Sequence, residues 1–276
     1  MRILVLTAMA LAACGEPARG EFLALSYNVA GLPEGISDSH PSTNHPIISP
    51  LLNDYHLVLV QEDFAYHSKL VRDLEHPHRS EPGEVVSVVN DGLNRFSDTS
   101  FGELVRERWH ECFGGIDTSD GGSGDCLAAK GFSVATHELA PGVEVDVYNH
   151  HAEAGNTDRD LELLGNDFIQ LGDYIVANSA GRAVIVGGDT NLKPERYVEE
   201  AAIFDDFLAA TGLTDSCRHL DCGEERIDRF MFRGSERLKI DATTWRFAVD
   251  VFVDPAGEPL SDHDPLAVTF SWRERE

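Results

Sequence analysis

Val184-Ile185-Val186-Gly187-Gly188-Asp189-Thr190-Asn191 joins an apolar, β-branched run to a glycine pair and three polar side chains. Residues 183–187 predict a buried strand closed by a turn signal. The polar residues behind it fall where a sheet displays side chains on loops. Working outward, the same layout recurs. Residues 22–29, 56–61, 131–138 and 143–150 predict strands before it, and 227–233, 242–250 and 265–272 after it. Helical spacing lies between them. Leu161, Leu164, Phe168, Leu171 and Ile175 form one apolar stripe, and Ala201, Phe204, Phe207 and Leu208 another. Strands alternating with helices imply an α/β or layered α+β domain with its helices outside. The last fifty residues are mostly strand, which argues against a simple doubly wound parallel sheet.

No linker and no internal repeat divides the chain, so residues 22–276 read as a single domain. Residues 76–130 read as an irregular insertion. It holds an acidic, glycine-rich loop, residues 117–125, which matches no calcium-loop pattern and is expected to be solvated. Phe101, Trp109 and Phe113 are the aromatics of this insertion, and core packing explains them most simply.

The N-terminus has its own logic. Met1 and Arg2 precede an apolar run ending Leu11-Ala12-Ala13-Cys14. The run is shorter than the roughly 20 residues that span a bilayer and has the proportions of a signal peptide. The small residues before Cys14 resemble a bacterial lipobox. On that reading 1–13 is a lipoprotein signal, Cys14 is lipidated, and 14–21 is a tether. An ordinary secretory signal cut nearby is the alternative. No aspartate follows Cys14 to suggest inner-membrane retention, so an outer-membrane or cell-surface lipoprotein is expected. Of five cysteines, Cys112, Cys126, Cys217 and Cys222 remain. An even number in an exported chain suggests two disulfides, with proximity favouring Cys112–Cys126 and Cys217–Cys222; a zinc site is the competing reading, although no CxxC pair is present.

Twenty-two Lys and Arg against 48 Asp and Glu give a net charge of −26. Such a field repels polyanions, and no Lys/Arg cluster offers the cationic contacts that nucleic-acid binding draws on.

The polar residues at predicted strand ends are Asn28, Glu62, His150 and His151, Asp189 and Asn191, Asp228, and Asp262 with His263. Singly, each reads as a cap, a turn residue or a structural histidine. Together they supply oxygen ligands for a hard cation and imidazoles beside carboxylates for proton transfer. Hydrolysis of an unreactive phosphate ester needs that combination.

The ordered words Ser-Tyr-Asn28, Gln61-Glu62, Asn149-His150-His151, Gly188-Asp189-Thr190-Asn191, Ile227-Asp228 and Ser261-Asp262-His263 resemble the signature of the endonuclease/exonuclease/phosphatase (DNase I-like) superfamily. The resemblance runs from about Phe22 to Phe270 and is most specific in Ser261-Asp262-His263. It implies a four-layered α/β sandwich: two packed mixed sheets flanked by helices. It further implies that Glu62, assisted by Asn28 and completed by Asp262, holds Mg²⁺, with Mn²⁺ or Ca²⁺ as alternatives. His263 takes the place of the general base, oriented by Asp228. Asp189 and Asn191 would position the nucleophile and a phosphate oxygen. His151 would stabilise the transition state or assist the leaving group, supported by Asp91, and Arg95 would contact phosphate. The chain departs from the family at His150, where threonine is common, and at Thr190.

Export, acidity and a lipid anchor favour a lipid or small phosphodiester, as in sphingomyelinase-type phospholipases C. A DNase I-like nuclease is the alternative, and a catalytically inactive surface-binding lipoprotein is an alternative of another class. The membrane enters through the anchor, and no protein partner is expected.

Overall fold

The computed structural model describes residues 17–34, 39–86, 88–115, 124–223 and 226–276. The expectations for the signal segment, Cys14 and most of the acidic loop lie outside these residues. Among the described residues, no helix is long and apolar enough to cross a membrane.

Two six-stranded sheets pack face to face. The first contains β1 (Arg19–Asn28), β2 (Leu57–Gln61), β3 (His78–Arg79), β4 (Asn94–Ser97), β11 (Leu238–Phe247) and β12 (Leu266–Glu274), in the order β11-β12-β1-β2-β4-β3. The second contains β5 (Val105–Arg108), β6 (Gly131–Ala140), β7 (Val143–His151), β8 (Val184–Asp189), β9 (Thr214–Asp215) and β10 (Asp228–Arg233), in the order β5-β6-β7-β8-β10-β9. Only β1–β2 and β7–β8 are parallel, so both sheets are mixed. Two parallel pairs, one per sheet, bring the C-terminal ends of β1, β2, β7 and β8 to one rim.

Strand alternation builds the layers. In β1, Phe22 and Ala24 enter the core between the sheets, where Leu59, Val147, Ile185, Phe230, Val268 and Phe270 meet them. Leu25 and Tyr27 face the other way, toward α1 (Pro41–Leu51). The second sheet is covered by α3 (Asp158–Asn178) and α4 (Val198–Thr211), through Leu164, Phe168, Leu171, Phe204 and Phe207. Helix, sheet, sheet, helix is the expected four-layered sandwich. The short helices α2 (His67–Leu70) and α5 (Ser216–Leu220) complete the outside.

Both disulfides pair by proximity, Cys112–Cys126 and Cys217–Cys222. Two expectations change, and one helix stands where none was expected. Chain order begins at Arg19, which pairs with Arg273, so the tether gives way to strand before residue 22. The stretch expected as an irregular insertion, 76–130, contributes strands to both sheets: β4 lies inside the first and β5 edges the second. Finally, α1 was hidden by Pro46 and Pro50, each of which removes an N–H from the helical ladder. The two carbonyls thereby orphaned, Ser42 O and Pro46 O, accept instead from Lys69 Nζ (2.8 Å) and Arg72 Nη2 (3.2 Å) of the α2 segment.

Candidate active site

The rim gathers its polar side chains through strand register. Asn28 pairs with Gln61, one residue before Glu62. His151 pairs with Asp189, and Asp189 with Asp228. Below this row Gln61 Nε2 donates to Asn149 Oδ1 across the sandwich (2.7 Å), and Asn149 Nδ2 donates to Val60 O and Asn94 O. These buried amides tie the two sheets together directly beneath the site.

Glu62 and Asn191 sit in the left-handed region, at φ 57° and 50°, a conformation that non-glycine residues adopt mainly where the surroundings enforce it. Behind Glu62 stands Gly92, where a Cβ would lie 2.9 Å from Glu62 Cα. The closeness requires glycine. His263 arrives from the loop before β12, which Ser261 Oγ pins to Asn28 O (2.7 Å).

Asp189 is the hub. Its Oδ2 receives Asn28 Nδ2 (3.2 Å) and faces Nε2 of His151 (3.4 Å) and of His263 (3.6 Å). Its Oδ1 accepts from Asn191 N (3.0 Å). Asn28 Nδ2 also donates to Glu62 Oε1 (3.1 Å), with His151 Nε2 4.0 Å away. Across the ring, His263 Nδ1 meets Asp228 Oδ2 at 2.8 Å. Strand alternation sends His150 to the opposite face, where Nδ1 contacts Gly187 O and the ring meets Phe168.

Several expected site residues stand elsewhere. Arg95 is fully buried and donates to Val147 O and to Ser133, so it cannot reach a phosphate in the rim. Asp91 pairs with Arg106 Nη1 (2.5 Å) rather than with His151. Asp262 is exposed and accepts from Ser261 Oγ, and the carboxylate grouped with Asp189 and His263 is that of Asp228. Asn28 Oδ1 accepts from Ala30 N, so Asn28 turns its NH₂ to the carboxylates and offers no oxygen ligand there. Asn191 Nδ2 is likewise engaged by Ala152 O (3.0 Å).

Electrostatics follow from this geometry. Burial disfavours a charged His263, yet Asp189 and Asp228 outweigh it and raise the imidazolium to about 10. Burial raises Asp228 to about 6 against the pull of His263. Asp189 is buried too, but the charges of His263 and Lys130 and the facing His151 ring lower it to about 2. Burial, reinforced by Lys130, pushes His151 well below the ordinary histidine range, and burial raises Glu62. Lys130 was missed in the sequence because it stands alone before β6, with no motif to mark it.

Can these residues hold a cation? The ligand atoms of Asp189, Asp228 and His263 lie within 4.8 Å of one another, and Asp228 Oδ1 is buried without a hydrogen-bond partner. Glu62 adds a carboxylate that burial strains. An oxygen-rich set with surplus negative charge fits a hard divalent ion.

The raised groups carry a testable consequence. Glu153 stands at about 9 and Asp167 at about 8, both through burial first, and His263 at about 10. A group raised on folding stabilises below its unfolded pKa and loses that contribution as pH climbs to its folded value. Buried histidines lowered on folding act in the opposite sense but are spent by pH 7. Melting temperature in chelator is therefore expected to fall from pH 7 to pH 9, above which Arg95, lowered by burial to about 9, acts in the opposite sense. A flat or rising profile contradicts these placements.

The two packed mixed sheets with flanking helices are the DNase I-like fold. The chain has more particular sequence relatives. It is 33% identical to the sphingomyelinases of Mycobacterium tuberculosis and Mycobacterium bovis over 92% of its own length and 53% of theirs. The chain thus spans about half the length of the curated relatives it matches. No family model matches. Among solved structures, a beta toxin variant from Staphylococcus aureus with bound magnesium ions superposes with a TM-score of 0.64 at 16% identity, covering 90% of this chain and 99% of the toxin. TDP2 of D. rerio, complexed with a single-strand DNA product, gives 0.67 at 16% identity over 91% and 98%.

Proposed function

We propose that the chain is an exported phosphodiesterase acting on a lipid or small phosphodiester, in the manner of a sphingomyelinase. The observation that carries the chemistry is the Asp228–His263–Asp189 array facing His151 and Glu62. His263 Nε2, which faces Asp189 Oδ2 and Asn28 Nδ2, would take a proton from attacking water at this rim, while Asp228 holds Nδ1 and stabilises the imidazolium that results. His151, kept neutral, can donate through Nε2 to an oxygen of the phosphate or its leaving group. His263 becomes a base only when the carboxylates that keep it charged are shared with another cation. Glu62 and Asp189 would hold Mg²⁺, or Mn²⁺ or Ca²⁺, which when bound supplies charge stabilisation to the phosphate oxygens.

The substrate reading rests on the sphingomyelinase relatives, on the −26 charge and on the cavity beside His263. That cavity, about 400 Å³, is lined by Lys193 and Phe247 as well as the exposed carboxylates of Asp262 and Asp264. An aromatic ring and two exposed acids beside the cations of Lys193 and Arg226 suit a phosphate bearing a cationic substituent better than a polyanion. The two disulfides support export, and the run ending in Cys14 supports a lipid anchor.

The test is turnover of sphingomyelin, bis-p-nitrophenyl phosphate and plasmid DNA, each with Mg²⁺ and with EDTA. Phosphocholine release that EDTA abolishes is expected. DNA cleavage without lipid hydrolysis would establish the nuclease reading instead. Absence of metal-dependent turnover on all three would leave a binding protein.

A further inference from the structure

Where β7 leaves the sheet, the chain from His151 to Ala154 is held at nearly every peptide group from outside. Trp109 Nε1 donates to His151 O (2.8 Å). Ala152 N donates to Asp189 O (3.0 Å), while Ala152 O accepts from both Asn191 Nδ2 (3.0 Å) and Lys130 Nζ (3.2 Å). Glu153 N donates to Asp167 Oδ2 (2.9 Å), and Ala154 N to Asp125 Oδ2 (3.1 Å). Lys130 Nζ lies 2.5 Å from Asp125 Oδ1, and both side chains are at least nine-tenths buried.

This is more holding than a surface turn needs, and half of it comes from residues 109–130. The disulfide Cys112–Cys126 staples that stretch on itself, fixing Trp109 and Asp125 relative to each other. Lys130 also faces three buried carboxyl groups, those of Asp125, Glu153 and Asp167. Its charge reaches Glu62 and Asp189 from behind the site. A buried ion pair is by itself weak support for stability. This one is anchored to the second peptide after the second imidazole, so its placement bears on geometry.

We propose that Lys130, held by Asp125, and Trp109 are positioning residues for His151: they fix the two peptides that follow it and thereby the direction of its imidazole toward Asp189. The proposal rests on the reading of this cluster as a hydrolytic centre. Misplacing a reacting group by about 1 Å can cost about 10²-fold, so a clamp of this kind is felt in kcat.

Lys130→Met alone would strand Asp125 as an unpaired buried charge, so the informative variant is Lys130→Met with Asp125→Asn. Trp109→Phe is the second, deleting one N–H and keeping an aromatic ring, and it carries the test should the first fail to fold. Each is assayed on bis-p-nitrophenyl phosphate with Mg²⁺, alongside melting temperature. We expect kcat to drop by about tenfold or more for the pair and severalfold for Trp109→Phe, with KM within about twofold. The decisive arm repeats both in a His151→Ala background. Residues that act through His151 cause no further loss once it is gone. An equal loss in that background, or unchanged kcat in the wild-type background, overturns the proposal. Absence of wild-type turnover would instead defeat the hydrolase reading itself.

Discussion

His263→Ala is expected to lower turnover of any accepted phosphodiester by at least ~10²-fold, the low end of what a positioned general base contributes. The ring bridges two carboxylates, 2.8 Å from Asp228 and 3.6 Å from Asp189, and no other imidazole reaches both. His151 also faces Asp189, but it is held neutral and has no carboxylate on Nδ1, which is buried without a partner. It therefore cannot take over a role that requires the protonated ring to be stabilised. The fold is expected to survive, because His263 lies on a partly exposed loop that Ser261 pins independently. Removing the imidazolium leaves Asp189 and Asp228 facing one another, and Asp228, already raised by burial, takes up a proton. Steady-state kcat with Mg²⁺ and a thermal melt check both halves. Near-normal kcat would remove His263 from the chemistry; a collapsed melt would show that its charge holds the rim together.

How much of this was legible in the sequence differs from residue to residue. The strand ends were readable, because apolar runs such as Val184–Asp189 stop abruptly in polar side chains. Helix α3 was readable from its stripe and opens with a capping box between Thr157 and Asp160. Helix α1 was not, since two prolines signal a break unless cations on another segment satisfy the freed carbonyls, and no local pattern announces that. Arg95 misled for a related reason. Every residue of β4 is buried, so alternation could not show which side chains face solvent. An arginine between two sheets lives on backbone carbonyls rather than phosphate. Lys130 and Asp125 were illegible because their significance is three-dimensional: one carbonyl, Ala152 O, collects donors separated widely along the chain.

Asp189→Asn is expected to rival the loss of the base, again by at least ~10²-fold in kcat, although Asp189 transfers no proton. Its Oδ2 sits among donors: Asn28 Nδ2 and the Nε2 atoms of both imidazoles. An amide in this place offers one acceptor where a full negative charge stood, and an N–H₂ where a lone pair was needed. His263 loses one of the two carboxylates that raise it, so it is held charged less strongly and oriented from one side only. His151 loses the group that its Nε2 faces, and a cation shared with Glu62 loses a ligand. Asn191 N can still donate to the retained oxygen, so the β8 turn and its left-handed residue should persist and the melting temperature should change little. Because both imidazoles meet at Oδ2 of a carboxylate that would also help to hold a cation, the combination His263→Ala with Asp189→Asn should be scarcely slower than either single variant. Additive losses in that pair would mean that the two residues serve separate steps, and would dissolve the single centre built here around Asp189.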